Sequence, residues 1–304
     1  MSTNEPSWDL YRTFLAVLQH GSLSAAAREL GLTQPTIGRH VDALEQAVGH
    51  ELFTRSPNGL LPTEAALDLR PYAETLAATS AALVRAASGR GNRIEGVVRI
   101  SASEVIGVEV LPPILRELQE QYPALVIELS SSDAVEDLLQ READIAVRMV
   151  EPSQEALLVR RIGDLAVGFF AHSSYLERHG RPETLAGLAG HRVIGFDRHT
   201  GYIRAMTKRY PQLNGIGFSF KADSNLAQLA AIRAGLGIGM CQAGLARRDP
   251  ALVRVLPQAF EVPLDTWVAM HENLKSSPRC RVTFDALVEG LLDYRRRQNE
   301  AQQA

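Results

Sequence analysis

The sequence predicts an α/β chain in three parts: a compact helical module ending in a hairpin, one long alanine-rich helix, and a large body of alternating strands and helices. Three observations carry that expectation. Short apolar-periodic runs close at the Asn-Gly of "SPNG", and residues 65–86 place small or apolar side chains alternately four and three apart. From "GVVRISAS" onward, apolar strands alternate with amphipathic helices. The 304 residues, 45% hydrophobic and 22% charged, are an ordinary globular composition with room for two domains. No apolar run nears the ~18 residues of a membrane span. "MSTNEPSWDLYRTF" lacks the basic-then-apolar layout of a signal peptide. A cytoplasmic protein without membrane contact is therefore expected. Cys241 and Cys280 make neither a disulfide framework nor a metal-ligand spacing, and no cofactor or metal is expected. A net charge of -3 gives no argument for a polyanionic partner.

Leu10, Phe14, Val17 and Leu18 fall at helical spacing and predict an amphipathic helix over about residues 8–19. Gly21 stops it, and Ser22 can cap the next helix. In "SLSAAAREL" the buried stripe is Leu23, Ala26, Ala27 and Leu30, whose small members admit a close neighbour. Gly31 suits a left-handed end, after which a four-residue break is expected. Thr33 can cap the third helix, and Pro35 fits its first turn because the missing N–H has no partner there anyway. Ile37, Val41, Leu44 and Val48 form one apolar stripe. The opposite face carries Pro35, Arg39, Asp42 and Gln46, with Gln34 and Thr36 at the N-terminal end.

Two helices joined by a short Gly-containing turn are the helix-turn-helix pattern, whose second helix presents its N-terminal residues to base edges in the major groove. Gln34, Thr36 and Arg39 supply an amide, a hydroxyl and a guanidinium fork, which suit adenine, either groove edge and guanine respectively. "ELFTRSPNGLLPT" then reads as strand, turn and strand, a wing with Arg55 and Asn58 at its tip, within reach of a phosphate or the minor groove. The same elements also serve as a plain packing module. Charge does not decide between the two, because Arg12, Arg28, Arg39 and Arg55 face Glu5, Asp9, Glu29, Asp42, Glu45 and Glu51.

From Thr63 to about Ser88 the chain should be one helix. Ala65, Leu69, Tyr72, Leu76, Thr79, Leu83 and Ala86 make a heptad seam that either pairs two chains or lies on a domain. Pro71 should remove a backbone hydrogen bond and bend the helix near Leu67. "SGRGNRIEG" reads as a hinge.

In the body, "GVVRISAS", "ALVIELSSS" and "DIAVRMV" read as strands, "VLPPILRELQEQYP" and "AVEDLLQREA" as helices. That order predicts a parallel sheet covered on both faces. The pattern repeats less cleanly from "DLAVGFFAHSSYL" through "HRVIGF", "IGFSFKAD" and "NLAQLAAIRAGLGIGMC". "TWVAMH" and "SPRCRVTFDALVEGLLDYRRR" close the chain. Two lobes are expected, 92–162 with 266–304 and 163–265. Ligands of such lobes sit beyond the carboxyl ends of strands against helix N-termini. Ser101 and Ser103, Ser130 to Ser132, and Ser224 lie at such places, where they either cap helices or line a pocket. Glu104 and Asp133 share two of these loops and leave the ligand's charge open.

Enzyme chemistry has no foothold: there is no Gly-x-Ser-x-Gly elbow, no His-Glu-x-x-His and no P-loop. "GLGIGM" follows a helix and reads as a glycine-rich buried strand. The histidines (His20, His40, His50, His172, His179, His191, His199 and His271) show no ligand spacing.

"FLAVLQHGSLSAAARELGLTQPTIGRHVDALEQAVGHELFTRSPNGLLPTEAA" resembles the winged helix-turn-helix of LysR-type transcriptional regulators. The match rests on Phe14, Gly21-Ser22-Leu23, Ala26-Ala27, Leu30, Gln34-Pro35, Leu44-Glu45, Gly49, Leu52-Phe53-Thr54-Arg55 and Thr63-Glu64-Ala65. Gly38 stands where the family usually has serine, Pro62 where it has leucine, and Ala66 where it has glycine, so no phosphate contact is carried to position 38. The resemblance implies a winged helix-turn-helix, a long linker helix and a two-lobed, periplasmic-binding-protein-like effector domain, matched more loosely by "VRISAS", "ADIAVR" and "IRAGLGIGM". The domains implied are 1–63, 64–91 and 92–304.

It further implies DNA contacts at Thr33, Gln34, Pro35, Thr36, Arg39, Arg55 and Asn58, and dimerisation through Leu69, Tyr72, Leu76 and Leu83. Effector contacts are implied at Ser101, Ser103, Glu104, Ser131, Arg148 and Ser224; family positions matching Ser103 and Ser131 often touch the effector. The implied partners are double-stranded DNA with an imperfect dyad operator, a small-molecule effector, a second chain in a homodimer or homotetramer, and RNA polymerase. Two alternatives stand beside this reading. One is a thiol redox sensor, although peroxide-sensing relatives use cysteines close in sequence and Cys241 and Cys280 are 39 apart. The other is a small-molecule binder with no DNA role.

Overall fold

The structure is a computed structural model that describes residues 5–56, 59–87, 94–131, 143–152, 157–197, 204, 207–213 and 215–300. It divides into two compact units, the described residues up to Val84 and those from Arg85 on. Residues 88–93 of the expected hinge "SGRGNRIEG" and 134–142 of the expected helix "AVEDLLQREA" fall outside the described residues, as do Asn58, Ser132 and Asp133.

The first unit opens with α1 (Trp8–His20), α2 (Leu23–Leu30) and α3 (Gln34–Val48). Each ends at a glycine in the left-handed region: Gly21, Gly31 and Gly49. Ser22 and Thr33 cap their helices, each hydroxyl accepting the N–H three residues on. The break between α2 and α3 spans Gly31, Leu32 and Thr33, one residue tighter than the four expected, because Gln34 already lies in the first turn. Ala26, Ala27, Ile37 and Val41 pack with Ala16 and Val17 of α1. Phe14 and Leu44 join Leu52, Ala66 and Ala73 in an adjoining cluster. The buried Thr13 hydroxyl, 2.9 Å from His40 Nδ1, adds a polar tie between α1 and α3.

The wing follows as β1 (Phe53–Ser56) and β2 (Gly59–Pro62), antiparallel with Ser56 opposite Gly59. Gly59 has φ +122°, and a Cβ there would stand 2.5 Å from the Gly21 carbonyl oxygen. The close approach has a purpose: Leu60 N–H donates to that same oxygen at 2.7 Å, which ties the wing to the α1 terminus. Then α4 (Glu64–Ala87) runs through Pro71 without ending. Thr63 caps it at Ala66 N–H and donates to the Glu51 carbonyl.

The second unit is built on a seven-stranded sheet among the described residues. Its strands are β3 (Gly96–Ala102), β4 (Leu125–Ser131), β5 (Ile145–Arg148), β6 (Leu157–His172), β9 (Gly239–Gln242), β10 (Leu252–Val255) and β11 (Val262–His271). The order is β10-β6-β11-β5-β3-β4, with β9 also on β6. The short strands β7 (Ile194–Gly195) and β8 (Phe220–Lys221) pair separately. Helices α5 (Leu111–Gln121), α6 (Ser173–His179), α7 (Asn225–Arg233) and α8 (Pro278–Glu300) cover the strands.

The expected parallel pairing holds for the three strands that predicted it and not for the rest of the sheet. β3 is parallel to β4 and β5, but β6 is antiparallel to β9, β10 and β11. The reason lies in β6, a 16-residue strand that starts at Leu157 rather than at Asp164. In "LLVRR" three half-buried residues precede two exposed arginines with no clean alternation, so its strand character is invisible until β11 pairs with it. Midway, Gly163 adopts φ +105° opposite Thr266, and the β11 register slips between Thr266 and Trp267. A glycine there lets a long strand change direction without breaking its ladder. One core takes in Val98, Ile100, Leu111, Leu115, Ile145, Phe284 and Leu287 and continues past this point to Leu165, Phe170, Leu229 and Ile232. A second has Phe169, Tyr175, Val193, Ile238 and Phe260. "HRVIGF" and "IGFSFKAD" shrink to the two-residue pair β7 and β8.

No helix of the described residues is long and apolar enough to cross a membrane.

Candidate functional site

On α3 the stripe Ile37, Val41 and Leu44 is buried, which turns Gln34, Pro35, Arg39, Asp42 and Gln46 outward as exposed residues. Thr33 is exposed and Thr36 half-buried, their hydroxyls 2.8 Å apart. Gln34 Oε1 accepts from the Ser24 hydroxyl at 2.9 Å, which orients the amide and leaves its second lone pair and its NH2 for another partner. Arg39 and Arg55 are exposed, and among the described residues neither meets a carboxylate. Gly38 leaves room: a Cβ would find its nearest atom, Leu23 Cδ1, at 4.0 Å.

The wing's attitude is set by Glu45, which spacing did not single out. Its Oε1 accepts Leu52 N–H at 2.7 Å and Phe53 N–H at 3.2 Å. One carboxylate on α3 thus aims the strand that carries Arg55.

On α4, Ala66 and Ala73 are buried and Leu69 half-buried against Phe14, Leu44 and Leu52. The remaining seam residues point elsewhere: Tyr72, Leu76 and Leu83 are 72%, 44% and 68% exposed. Leu69 is therefore shared between the helical module and the seam. The other three form an exposed apolar row that no described residue of their own unit covers.

In the second unit the candidate effector residues fall into contacting groups. Arg148 is buried; its Nη2 donates to Ser101 Oγ at 2.7 Å and its Nη1 to the Val147 carbonyl at 3.1 Å. Ser103 lies just past β3, with its N–H on Val147 O at 3.3 Å. Ser131 is exposed at the end of β4, its Oγ 2.7 Å from where a Cβ on Gly107 would stand. Ser224 caps α7, accepting from Ala227 N–H. Glu104 reaches across to it: Oε1 accepts from Ser224 Oγ at 2.8 Å, and Oε2 from Asn225 N–H at 2.8 Å and Leu226 N–H at 3.3 Å. The Glu104 carboxylate thus sits on the positive end of α7.

Sequence reasoning missed Glu109 and Arg233. Arg233 Nη1 and Nη2 grip Glu109 Oε1 and Oε2 at 2.6 and 2.9 Å, a bidentate pair, while Arg248 Nη1 donates to the Glu109 carbonyl at 2.6 Å. No local signal joins residues 124 positions apart. The hydrogen bonds from Arg233 hold the Glu109 carboxyl below its ordinary value of 4.5, against the opposing effect of burial. A depressed carboxyl stabilises the fold above its unfolded pKa and loses that contribution as pH falls through the folded one. The stability gap between the native chain and Glu109→Gln should therefore be constant at neutral pH and close as pH falls below about 4. Urea unfolding at a series of pH values reads this gap; one that persists unchanged into acid would contradict the pairing.

Cys241 and Cys280 are both buried. Burial pushes the Cys241 thiol up to about 12, which leaves almost no thiolate at neutral pH and weakens the redox alternative. Two surface grooves of about 550 and 610 Å³ lie away from the candidate residues. One is lined by Pro112, Leu115, Ile127 and Leu129, the other by Phe170, Arg247, Leu252 and Arg254.

Comparison with known proteins agrees with these shapes. Residues 8–67 match the family model of the bacterial regulatory helix-turn-helix protein, lysR family, and residues 91–292 match the LysR substrate binding domain. The HTH-type transcriptional regulator CrgA of Neisseria meningitidis serogroup C is 28% identical over 284 residues, covering 91% of this chain and 95% of the relative. The solved structure of CrgA from Neisseria meningitidis, a LysR-type transcriptional regulator, superposes with a TM-score of 0.58 at 25% identity, covering 93% of this chain and 98% of that one. Full-length CbnR, solved in complex with its target DNA, shares the fold with a TM-score of 0.64 at 18% identity, covering 96% and 99% of the two chains. With both of its units matched in chain order, the protein belongs to the LysR family of DNA-binding transcriptional regulators and carries that family's effector-binding domain.

Proposed function

We propose that residues 1–63 read an imperfect dyad operator, that 64–91 pair two chains, and that 92–304 bind the effector between lobes 92–162 with 266–304 and 163–265. The observation that carries this reading is the outward face of α3. A fully buried apolar stripe leaves Gln34, Pro35 and Arg39 exposed at the end that a helix-turn-helix offers to bases. Thr33 and Thr36 flank them. Arg55 on the wing adds a cation for a phosphate, and the turn residue Asn58 belongs to the same contact. Base edges go to Arg39 and Gln34, register on the duplex to the rest.

The effector site comprises Ser101, Ser103, Glu104, Ser131, Arg148 and Ser224, which meet around the junction of the two lobes. The unpartnered row Tyr72, Leu76 and Leu83, with Leu69, supports a dimer, and a tetramer and contact with RNA polymerase extend the same family reading. The protein acts in the cytoplasm on double-stranded DNA and performs no catalysis.

Footprinting the full chain on DNA upstream of its own gene, with and without candidate metabolites, tests the reading. Protection of a dyad whose extent changes with one metabolite is expected; uniform protection of any sequence, indifferent to every metabolite, would overturn it. Arg55→Ala should weaken all duplexes alike and reduce the slope of log affinity against log salt by about one, as loss of a single phosphate contact does. Affinity titrations at several salt concentrations check this. A change confined to one sequence would place Arg55 at a base instead.

A further inference from the structure

Glu104 and Glu109 lie on the segment that joins β3 to α5, and both reach the same helix of the other lobe. Glu104 occupies the N-terminus of α7 through Ser224 Oγ, Asn225 N–H and Leu226 N–H. Glu109 holds the other end of that helix through the fork of Arg233. At the 100° per residue of an α-helix, positions five apart point about 140° away from each other and cannot share a partner. Here residues Ile106–Val110 form a π-turn, whose wider i→i+5 winding swings Glu109 back toward the side of Glu104. The irregular turn thus has a geometric consequence: two carboxylates on one side of a short segment, spaced to meet the two ends of a nine-residue helix.

The charges match end for end. A carboxylate sits at the helix N-terminus, where the macrodipole favours an anion. Ser224 plays two parts, accepting from Ala227 N–H as the cap while donating its own proton to Glu104.

We propose that this pair is a clasp between the lobes, with Glu104 acting as a resident anion on α7. An effector that places a carboxylate on the Ser224, Asn225 and Leu226 donors must first displace Glu104, and in doing so releases one end of the clasp. Glu109 and Arg233 then serve as the pivot that keeps α7 against the first lobe. The proposal rests on the junction being the effector site, but the clasp itself is tested without any effector.

The test is amide hydrogen exchange on the full-length chain, with acetate as the probe. Glu104→Ala should speed exchange of the peptide holding Asn225 and Leu226 by about tenfold, as loss of charge-assisted hydrogen bonds allows. Acetate, but not chloride at equal ionic strength, should slow it again by filling the carboxylate's place. The native chain should not respond to acetate. If the alanine variant fails to fold, Glu104→Gln carries the same readout: it keeps the volume and one acceptor oxygen, so exchange rises by less and acetate has no effect. Unchanged exchange in the variant, or equal slowing by acetate and chloride, would overturn the clasp. Failure of the effector-site reading looks different. In that case the exchange results stand, while an effector found by footprinting binds the Ser103→Ala, Ser131→Ala double variant as tightly as the native chain in calorimetry.

Discussion

Arg39→Ala should weaken binding to the cognate operator about 5- to 150-fold, ~1–3 kcal/mol, and flatten the preference for one base pair in each half-site. The expectation follows from geometry. Arg39 is exposed on the face opposite Ile37, Val41 and Leu44, one turn into α3. It meets no carboxylate among the described residues, so its fork is available to guanine O6 and N7. The substitution removes no buried contact, so stability should change by less than about 0.5 kcal/mol. Gel-shift titrations against the operator and its single-base variants separate the outcomes. A drop equal for all sequences would reassign Arg39 to a phosphate, and no drop at all would mean that a different face of α3 meets the groove.

Leu76→Glu should abolish pairing of two chains. Tyr72, Leu76 and Leu83 stay largely exposed on α4 while Ala66 and Ala73 of the same helix are buried. A large apolar side chain gains about 1.5–3 kcal/mol on full burial, and a row of three is worth covering. A carboxylate in the middle of that row loses the gain and adds the cost of an unpaired buried charge, several kcal/mol. The position is unpartnered within its own unit, so the variant should still fold. Light scattering should report half the native mass, and footprints should lose the second half-site together with the first at moderate protein concentration. Native mass and intact dyad protection in the variant would move the interface elsewhere.

How far the sequence speaks depends on the range of the interactions involved. Gly21, Gly31, Thr33, Pro35 and Gly59 of the wing act on residues within about four positions, and each lands where its chemistry requires. The α3 stripe was equally legible, because one helix face must be apolar for the module to have a core. Glu45 was not, since its partners Leu52 and Phe53 lie across a turn that had first to be folded. The same holds more strongly for Glu104, whose partner Ser224 is 120 residues away. As residue types at the ends of strands and helices, both were visible candidates; that one satisfies the other was not. The first half of β6 escaped notice for a related reason. "LLVRRIG" has neither alternation nor a continuous apolar run, and only its ladder with β11 makes it a strand. Parallel pairing does hold for β3, β4 and β5, the strands whose pattern predicted it, while the antiparallel strands beside them follow from returns later in the chain.

Selection of bound duplexes from a random-sequence pool by the purified full-length protein, at physiological salt, tests most directly that α3 reads sequence as part of a paired regulator. Enrichment should converge on an imperfect dyad whose half-sites are separated by whole helical turns of about 10–10.5 base pairs, and Arg39→Ala should blur one position in both halves. A pool that emerges without any enriched sequence, or with a single half-site whose choice is indifferent to Arg39, would contradict it.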